Sequence, residues 1–320
     1  MDEGERIRRE LEEDERLDAA DPLRHLLRAG DDNEDEVEVE EEQHHHPEDE
    51  TRLPNGQLRY KLNEGNGLVP AQRAAVEGDT RAVVRYFSSS SSKPITFGLS
   101  SSPTETPEGS YFDVHLYQDV SGGCGGRIWP AAEVLGAYLA RSPEAWRAKW
   151  EGKQVVELGS GTGLLGLLCA RMGLGGMVWI TDQDAMLDLM QRNLKLNEEV
   201  AHTEGGNASA KSLSSTCVVK ELNWGEPIPE DIPSKPDVLL LADCVYLEVA
   251  FQPLVDTMVE LSTPSTEILF CYQKRRKADK RFFALLKRHF SFEHVEDDDP
   301  ERRTVYNREG TQLLRVVKMK

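Results

Sequence analysis

"VVELGSGTGLLG" occupies Val155–Gly166. A short apolar run with one acid in it gives way to alternating glycines and then to a leucine-rich stretch. The pattern reads as a β-strand that breaks into a tight turn and continues as a helix. Gly159, Gly161 and Gly163 carry no Cβ, so the backbone of this turn can lie directly against a ligand. "GTGLLG" at 161–166 also fits the G-x-G-x-x-G spacing of dinucleotide folds, a weak signal alone and equally the mark of a plain strand–helix junction.

Downstream of this turn the chain becomes regular. Strands are expected at 154–158, 177–181, 216–222, 237–242 and 266–272, with helices at 163–172, 184–197, 247–261 and 279–289. Strands alternating with helices predict a parallel sheet covered on both faces. Two further strand-like pieces, 291–296 and 311–318, follow with no helix expected between them, which predicts an antiparallel hairpin at one edge. The expected fold class is therefore α/β: a seven-stranded, mostly parallel sheet with helices on both faces and an antiparallel edge hairpin.

Upstream, "RAVVRYF" and "YFDVHLY" read as strands; in the second, Phe112, Val114 and Leu116 alternate with Asp113, His115 and Tyr117, the pattern of a half-buried strand. Serine-rich loops separate them around 88–110, and "SGGCGG" at 121–126 leads to Trp129 and a helix beginning near Pro130. Three regions are expected: a mostly disordered acidic tail at 1–57, N-terminal strands and flexible loops at 58–125, and the main domain at 126–320.

Charge supports that division. The formal charge is −19, but the first fifty residues hold 22 acids against 6 bases, and the remaining 270 hold 35 against 32. Such a tail cannot offset its own ordering entropy, apart from one short helix expected at 21–29; His44–His46 reads as part of this polar stretch rather than as a metal tract. The near-neutral remainder shows no basic stripe, which argues against nucleic acid. "KRRK" at 274–277 reads as a solvated face or a contact for an acidic partner. Five cysteines without a CxxC pair argue against zinc and disulfides and for a reducing compartment, cytoplasmic or nuclear. The longest apolar runs, "LLGLLCA" and "VLLLA", are too short to span a bilayer.

The acid at the end of the first strand separates the ligand classes. A pyrophosphate on a helix N-terminus wants amide donors and no anion nearby. S-adenosylmethionine carries an ammonium and a sulfonium, and both are compatible with Glu157. Asp182 ends the next strand, 21 residues after Gly161, where an acid accepts hydrogen bonds from ribose hydroxyls; the competing reading makes it a helix cap. Trp224 at the third strand's carboxyl end offers an apolar face to adenine, with Asn223 or a backbone amide at the ring edge, or else simply packs in the core. Asp243 and Tyr246 follow the fourth strand. An acid and an aromatic face together suit a cationic acceptor, whereas the plain alternative is an N-cap and a staple for helix 247–261.

Taken together, "GGRIWPAAEVLGAYL", "VVELGSGTGLLGL", "ITDQDAMLDLMQRNLKLN", "LNWG", "DCVY" and "CYQKRRKADKRFFALL" resemble the methyltransferase-16 family of seven-β-strand protein-lysine methyltransferases, over roughly residues 110–318. The resemblance implies a class I, Rossmann-like methyltransferase fold and S-adenosylmethionine as methyl donor. It places Trp129, Glu157, Gly159, Ser160, Gly161, Gly163, Asp182, Trp224 and Ala242 at the donor, and Asp243 with Tyr246 at the acceptor lysine, with no metal. The "YQKRRKADKRFF" segment is most similar to members that modify translation elongation factor 1A, so a protein substrate and a monomeric enzyme are expected. A methyltransferase on another protein, a small molecule or nucleic acid, or a non-catalytic protein of the same fold, remain the alternatives. The acidic tail, the serine-rich loops and the insertion "AHTEGGNASAKSLSS" depart from the family pattern.

Overall fold

The computed structural model describes residues 58–61, 80–88, 111–120, 124–203, 212–276 and 278–320. The tail with its helix at 21–29, the serine-rich loops and most of the insertion at 201–215 lie outside the described residues. Three strands, β1 (Leu58–Lys61), β2 (Thr80–Phe87) and β3 (Tyr111–Gln118), form a small sheet in that order, with β1 parallel to β2 and β2 antiparallel to β3. Two helices follow, α1 (Pro130–Arg141) and α2 (Pro143–Trp150). The main sheet then begins at β4 (Gln154–Leu158) and alternates with helices: α3 (Leu164–Arg171), β5 (Met177–Asp182), α4 (Asp184–Thr203), β6 (Cys217–Glu221), β7 (Val238–Ala242), α5 (Phe251–Leu261), β8 (Glu267–Gln273) and α6 (Asp279–Leu286). It ends with β9 (Phe290–His294), α7 (Pro300–Arg308) and β10 (Thr311–Lys318).

The seven strands lie in the order β6-β5-β4-β7-β8-β10-β9, parallel as far as β8 and antiparallel beyond it. Both faces are buried because the strand residues alternate between two apolar clusters. Val155, Leu240 and Leu269 point to the face covered by α1, α3, α4 and the small sheet. Val156, Leu239 and Ile268 point to the face covered by α5 and α6. The expected class, seven strands with helices on both sides, is what the chain forms.

Two local expectations need correction. The edge strands do pair antiparallel, but they are not a direct hairpin: α7 lies between them, and β10 inserts between β8 and β9. "DDDPERRTVYNREG" carries the signals for this helix. Asp299 accepts from the amides of Glu301 and Arg302 at 2.9 and 3.1 Å, Pro300 occupies the first helical position, and Gly310 ends the segment at φ +80°.

The second correction concerns β3, which is covered on both faces rather than half-buried. Asp113 and His115 are only 6% and 7% exposed. Arg85 on β2 grips the Asp113 carboxylate with two bonds of 2.6 Å. On the far edge of β3, two asparagines of α4 replace a strand. Asn197 accepts from the His115 amide at 3.0 Å and donates to its carbonyl at 2.6 Å; Asn193 does the same for Tyr117 at 2.6 and 3.1 Å. Four helical residues rise about 6 Å and two strand residues about 6.8 Å, so the two amides stay in step with the strand.

Candidate active site

In open α/β sheets ligands lie beyond the carboxyl ends of the strands, where the order reverses. Here β4 is the reversal point, with β5 on one side and β7 on the other. A cavity of about 740 Å³ opens at that place.

The glycine turn forms its floor. Gly159, Gly161 and Gly163 have φ of +65°, +54° and +78°, the left-handed region that side-chain-bearing residues avoid. A Cβ on Gly161 would lie 2.5 Å from the Gly125 carbonyl oxygen, and one on Gly159 would lie 2.9 Å from Trp224 Cζ2. The upstream "SGGCGG" is thus explained at Gly125, where backbone packs on backbone. Gly163 is the exception among the candidates: its open side faces Ile180 and Leu167, so it serves the strand–helix junction and is not part of the cavity wall. Ser160 fastens the turn to β5, its amide donating to the Thr181 carbonyl at 2.9 Å while its hydroxyl accepts from the Thr181 amide at 3.0 Å.

Two acids sit under this floor. Glu157 is 2% exposed and accepts from the Gly166 amide at 2.9 Å. Burial pushes its carboxyl up to about 8, against the pull of bonds from Ser160 and the Gly166 amide; nearby Asp182 adds to the rise. Burial likewise raises Asp182, which accepts from the Gly161 amide at 2.7 Å and the Gln183 amide at 2.8 Å. Asp182 is therefore bonded to the turn, not to the amides inside α4 that an N-cap would satisfy. Two buried acids held above their ordinary range are relieved by a cation, and a positively charged donor fits this floor where a pyrophosphate does not.

Trp224 lines the cavity with its ring edge over Gly159 and packs against the apolar cluster behind it. Asn223 is committed elsewhere: its side-chain amide donates to Glu221 at 2.9 Å and Glu226 at 3.2 Å. Trp129 precedes α1, donates from its indole to the Cys124 carbonyl at 2.9 Å, and lines the same space as Ala242, Asp243 and Tyr246. The Tyr246 phenol is raised above its ordinary range by burial first and by Cys124 and Asp182 after it, so it stays neutral.

Asp243 is the one non-glycine residue with positive φ among the described residues, at +63°. It is 7% exposed. It does not cap the following helix, which starts at Phe251 after a short 3-10 turn. Instead Oδ1 accepts from the Gln273 amide at 3.2 Å and from Arg275 Nη1 at 2.7 Å, and Oδ2 accepts from Arg275 Nη2. Arg275 was hidden in the sequence inside "KRRK", a run that reads as solvated. In the fold Arg275 and Arg276 have side chains only 14% and 13% exposed and pair with Asp243 and Asp279. No local spacing reveals the Arg275 contact, because it depends on β7 and β8 being neighbours.

With this geometry in place the comparisons are decisive about the class. Residues 111–289, more than half of the chain, match a protein family described as lysine methyltransferase. The chain belongs to that family, and its methyl donor is S-adenosylmethionine. Among its relatives is protein-lysine N-methyltransferase EFM6 of Saccharomyces cerevisiae, 35% identical over 218 residues that cover 61% of this chain and 82% of that protein. Protein N-lysine methyltransferase METTL21A of Mus musculus is 34% identical over 175 residues, 55% of this chain and 72% of its own. EEF1A lysine methyltransferase 3 of Mus musculus is 34% identical over 187 residues, 58% and 72% respectively. Among the described residues no helix is long and apolar enough to cross a membrane, and no group of three or more His, Cys, Asp or Glu side chains is placed to hold a metal.

Proposed function

We propose that this enzyme methylates a lysine of translation elongation factor 1A, acting as a monomer in the cytoplasm. The name of one relative, EEF1A lysine methyltransferase 3, supports that acceptor. The observation that carries the chemistry is a single cavity shared by Glu157, Asp182, Trp129, Asp243 and Tyr246. Residues 126–320 supply most of it, with Cys124 and Gly125 added from the segment before.

At the donor end, Gly159, Ser160 and Gly161 let the backbone approach the ligand. Glu157 offsets its positive charge, Asp182 takes the ribose hydroxyls, Trp224 covers the adenine, and Ala242 leaves room beside them. The bound donor supplies an electrophilic methyl: the N–C bond forms as the C–S bond breaks, and the electron pair stays on sulfur. A free lysine has a pKa of about 10.4, so its amine must shed a proton to water before attack. Trp129 and Tyr246 wall off water and disfavour the charged form. Asp243 orients the amine through the acceptor position left on Oδ2, so that the nitrogen lone pair faces the methyl.

Incubation of the purified enzyme with radiolabelled S-adenosylmethionine tests this, with elongation factor 1A in one reaction and a cell extract in another. Label on a lysine of elongation factor 1A is expected. Label on a different protein moves the acceptor, and no labelled protein at all removes the enzymatic reading.

A further inference from the structure

Two cations of the cavity wall, Arg127 and Arg275, have no part in the catalytic scheme. Arg275 reaches across from the loop after β8 and holds both oxygens of Asp243. Its guanidinium also lies 4.9 Å from the centre of the Trp129 ring. Burial opposes its charge, but Asp243 and then Asp279 outweigh that opposition, and Arg275 titrates above its ordinary range. The loop that carries it is pinned, since Asp279 accepts from the Arg275 and Arg276 amides at 3.0 and 3.1 Å. This is a rigid, permanently charged group beside the carboxylate assigned to the acceptor amine.

We propose that Arg275 is a positioning residue that selects the neutral amine of the target lysine. The proposal rests on the reading of Asp243 given above. An unpaired Asp243 would attract an ammonium and hold it protonated. Paired with Arg275, the carboxylate has no net charge to offer, and an arriving ammonium meets a guanidinium a few ångströms away. A neutral amine meets no such repulsion. With Oδ1 already accepting from Gln273 and Arg275, Oδ2 retains room for one N–H of the amine. Only the neutral form can give that N–H while keeping a lone pair for the methyl. The same fork fixes Asp243 in its left-handed backbone, which an aspartate alone does not favour.

Other groups around this point belong to the balance. Asp182 and Glu157 face it from β5 and β4, Arg127 from the segment before α1, and Asp279 from the start of α6. Burial pushes the Cys124 thiol up to about 11 and the Tyr246 phenol higher still, so both stay uncharged through the working range. Glu157 titrates near 8 without ligand, and its effect is common to wild type and any Arg275 variant, so their difference isolates Arg275.

The test uses the full chain as wild type, Arg275→Gln and Arg275→Lys, with elongation factor 1A as acceptor. Calorimetry with S-adenosylhomocysteine first shows that each variant keeps its donor site. The pH profile of kcat at saturating acceptor is then measured, because kcat reports the ionisation of the bound amine. Loss of one nearby positive charge should move the acid limb of Arg275→Gln upward by about one pH unit, a tenfold loss near neutrality that closes in alkali. Arg275→Lys should keep the wild-type limb at a lower kcat, because it keeps the charge and loses the fork. Independently of turnover, acceptor binding to the enzyme–S-adenosylhomocysteine complex, measured in buffers of different ionisation heat, should release about one proton in wild type and less in Arg275→Gln. Coincident acid limbs and equal proton release in wild type and Arg275→Gln overturn the proposal, as does an Arg275→Lys limb displaced as far as that of Arg275→Gln. If the wild type leaves elongation factor 1A unlabelled, that acceptor assignment falls instead, and the same measurements are made on the extract protein it does label.

Discussion

The two ends of the cavity are built by different means. At the donor end backbone meets backbone: Gly161 lies against Gly125, and the turn is stitched to β5 through Ser160 and Thr181. At the acceptor end charge meets charge, with Asp243 held by an arginine 32 positions further along the chain. The donor end has no room for an added atom.

Three substitutions put that contrast under strain. The largest effect is expected at Asp243→Ala, which should abolish methyl transfer and lower the melting temperature by leaving Arg275 unpaired, while S-adenosylhomocysteine affinity stays close to wild type. A variant that retains full activity, or one that loses the donor as well, would erase the distinction between the ends. Next comes Gly161→Ala, whose Cβ would press on the Gly125 carbonyl; overpacking plus the left-handed backbone should cost about 2–4 kcal/mol and weaken donor binding. Gly152→Ala is its control. Gly152 has φ +70° with nothing within 4 Å of the added carbon, so only the backbone cost of about 1–2 kcal/mol remains. Equal melting temperatures for the two variants would show that the turn is not tightly packed.

A further substitution separates pH from packing. The Glu157 carboxyl keeps its proton to about 8 in the fold, against 4.5 when unperturbed. Between those values the native state binds a proton that the unfolded chain lacks. Its contribution is therefore complete below 4.5 and is lost as pH rises towards 8, at no more than about 1.4 kcal/mol per pH unit. Glu157→Gln should flatten the stability of the unliganded enzyme over that window, as read by denaturant melts at several pH values. In the wild type, a cationic donor displaces that proton, so donor affinity should climb between pH 6 and 8 and level off above; in Glu157→Gln the climb should vanish.

The same contrast decides what was readable from the sequence. The donor end is encoded in neighbours: the glycines, Glu157 and Asp182 fall at fixed offsets from one strand–turn–helix unit, and periodicity alone supplies the sheet behind them. Asp243 and Tyr246 were visible because they directly follow an apolar strand. Arg275 was not, since its partner is reached only through the pairing of β7 with β8. Helix α7 was missed for a different reason: its strongly polar sequence buries Tyr306 and has no apolar stripe to read, although its cap, Asp299 followed by Pro300, was legible. The sealing of the far edge of β3 was hidden in Asn193 and Asn197, two polar residues on a helix that nothing local marks as strand partners.

Those two asparagines also determine where the small sheet stops. An open strand edge is a template on which a second chain can add itself. Here β3 offers no such template at His115 and Tyr117, because the amides of Asn193 and Asn197 already occupy the donors and acceptors that an incoming strand would need. A helix has sealed that border with side chains alone, and at those two residues the protein is closed to growth by β-addition.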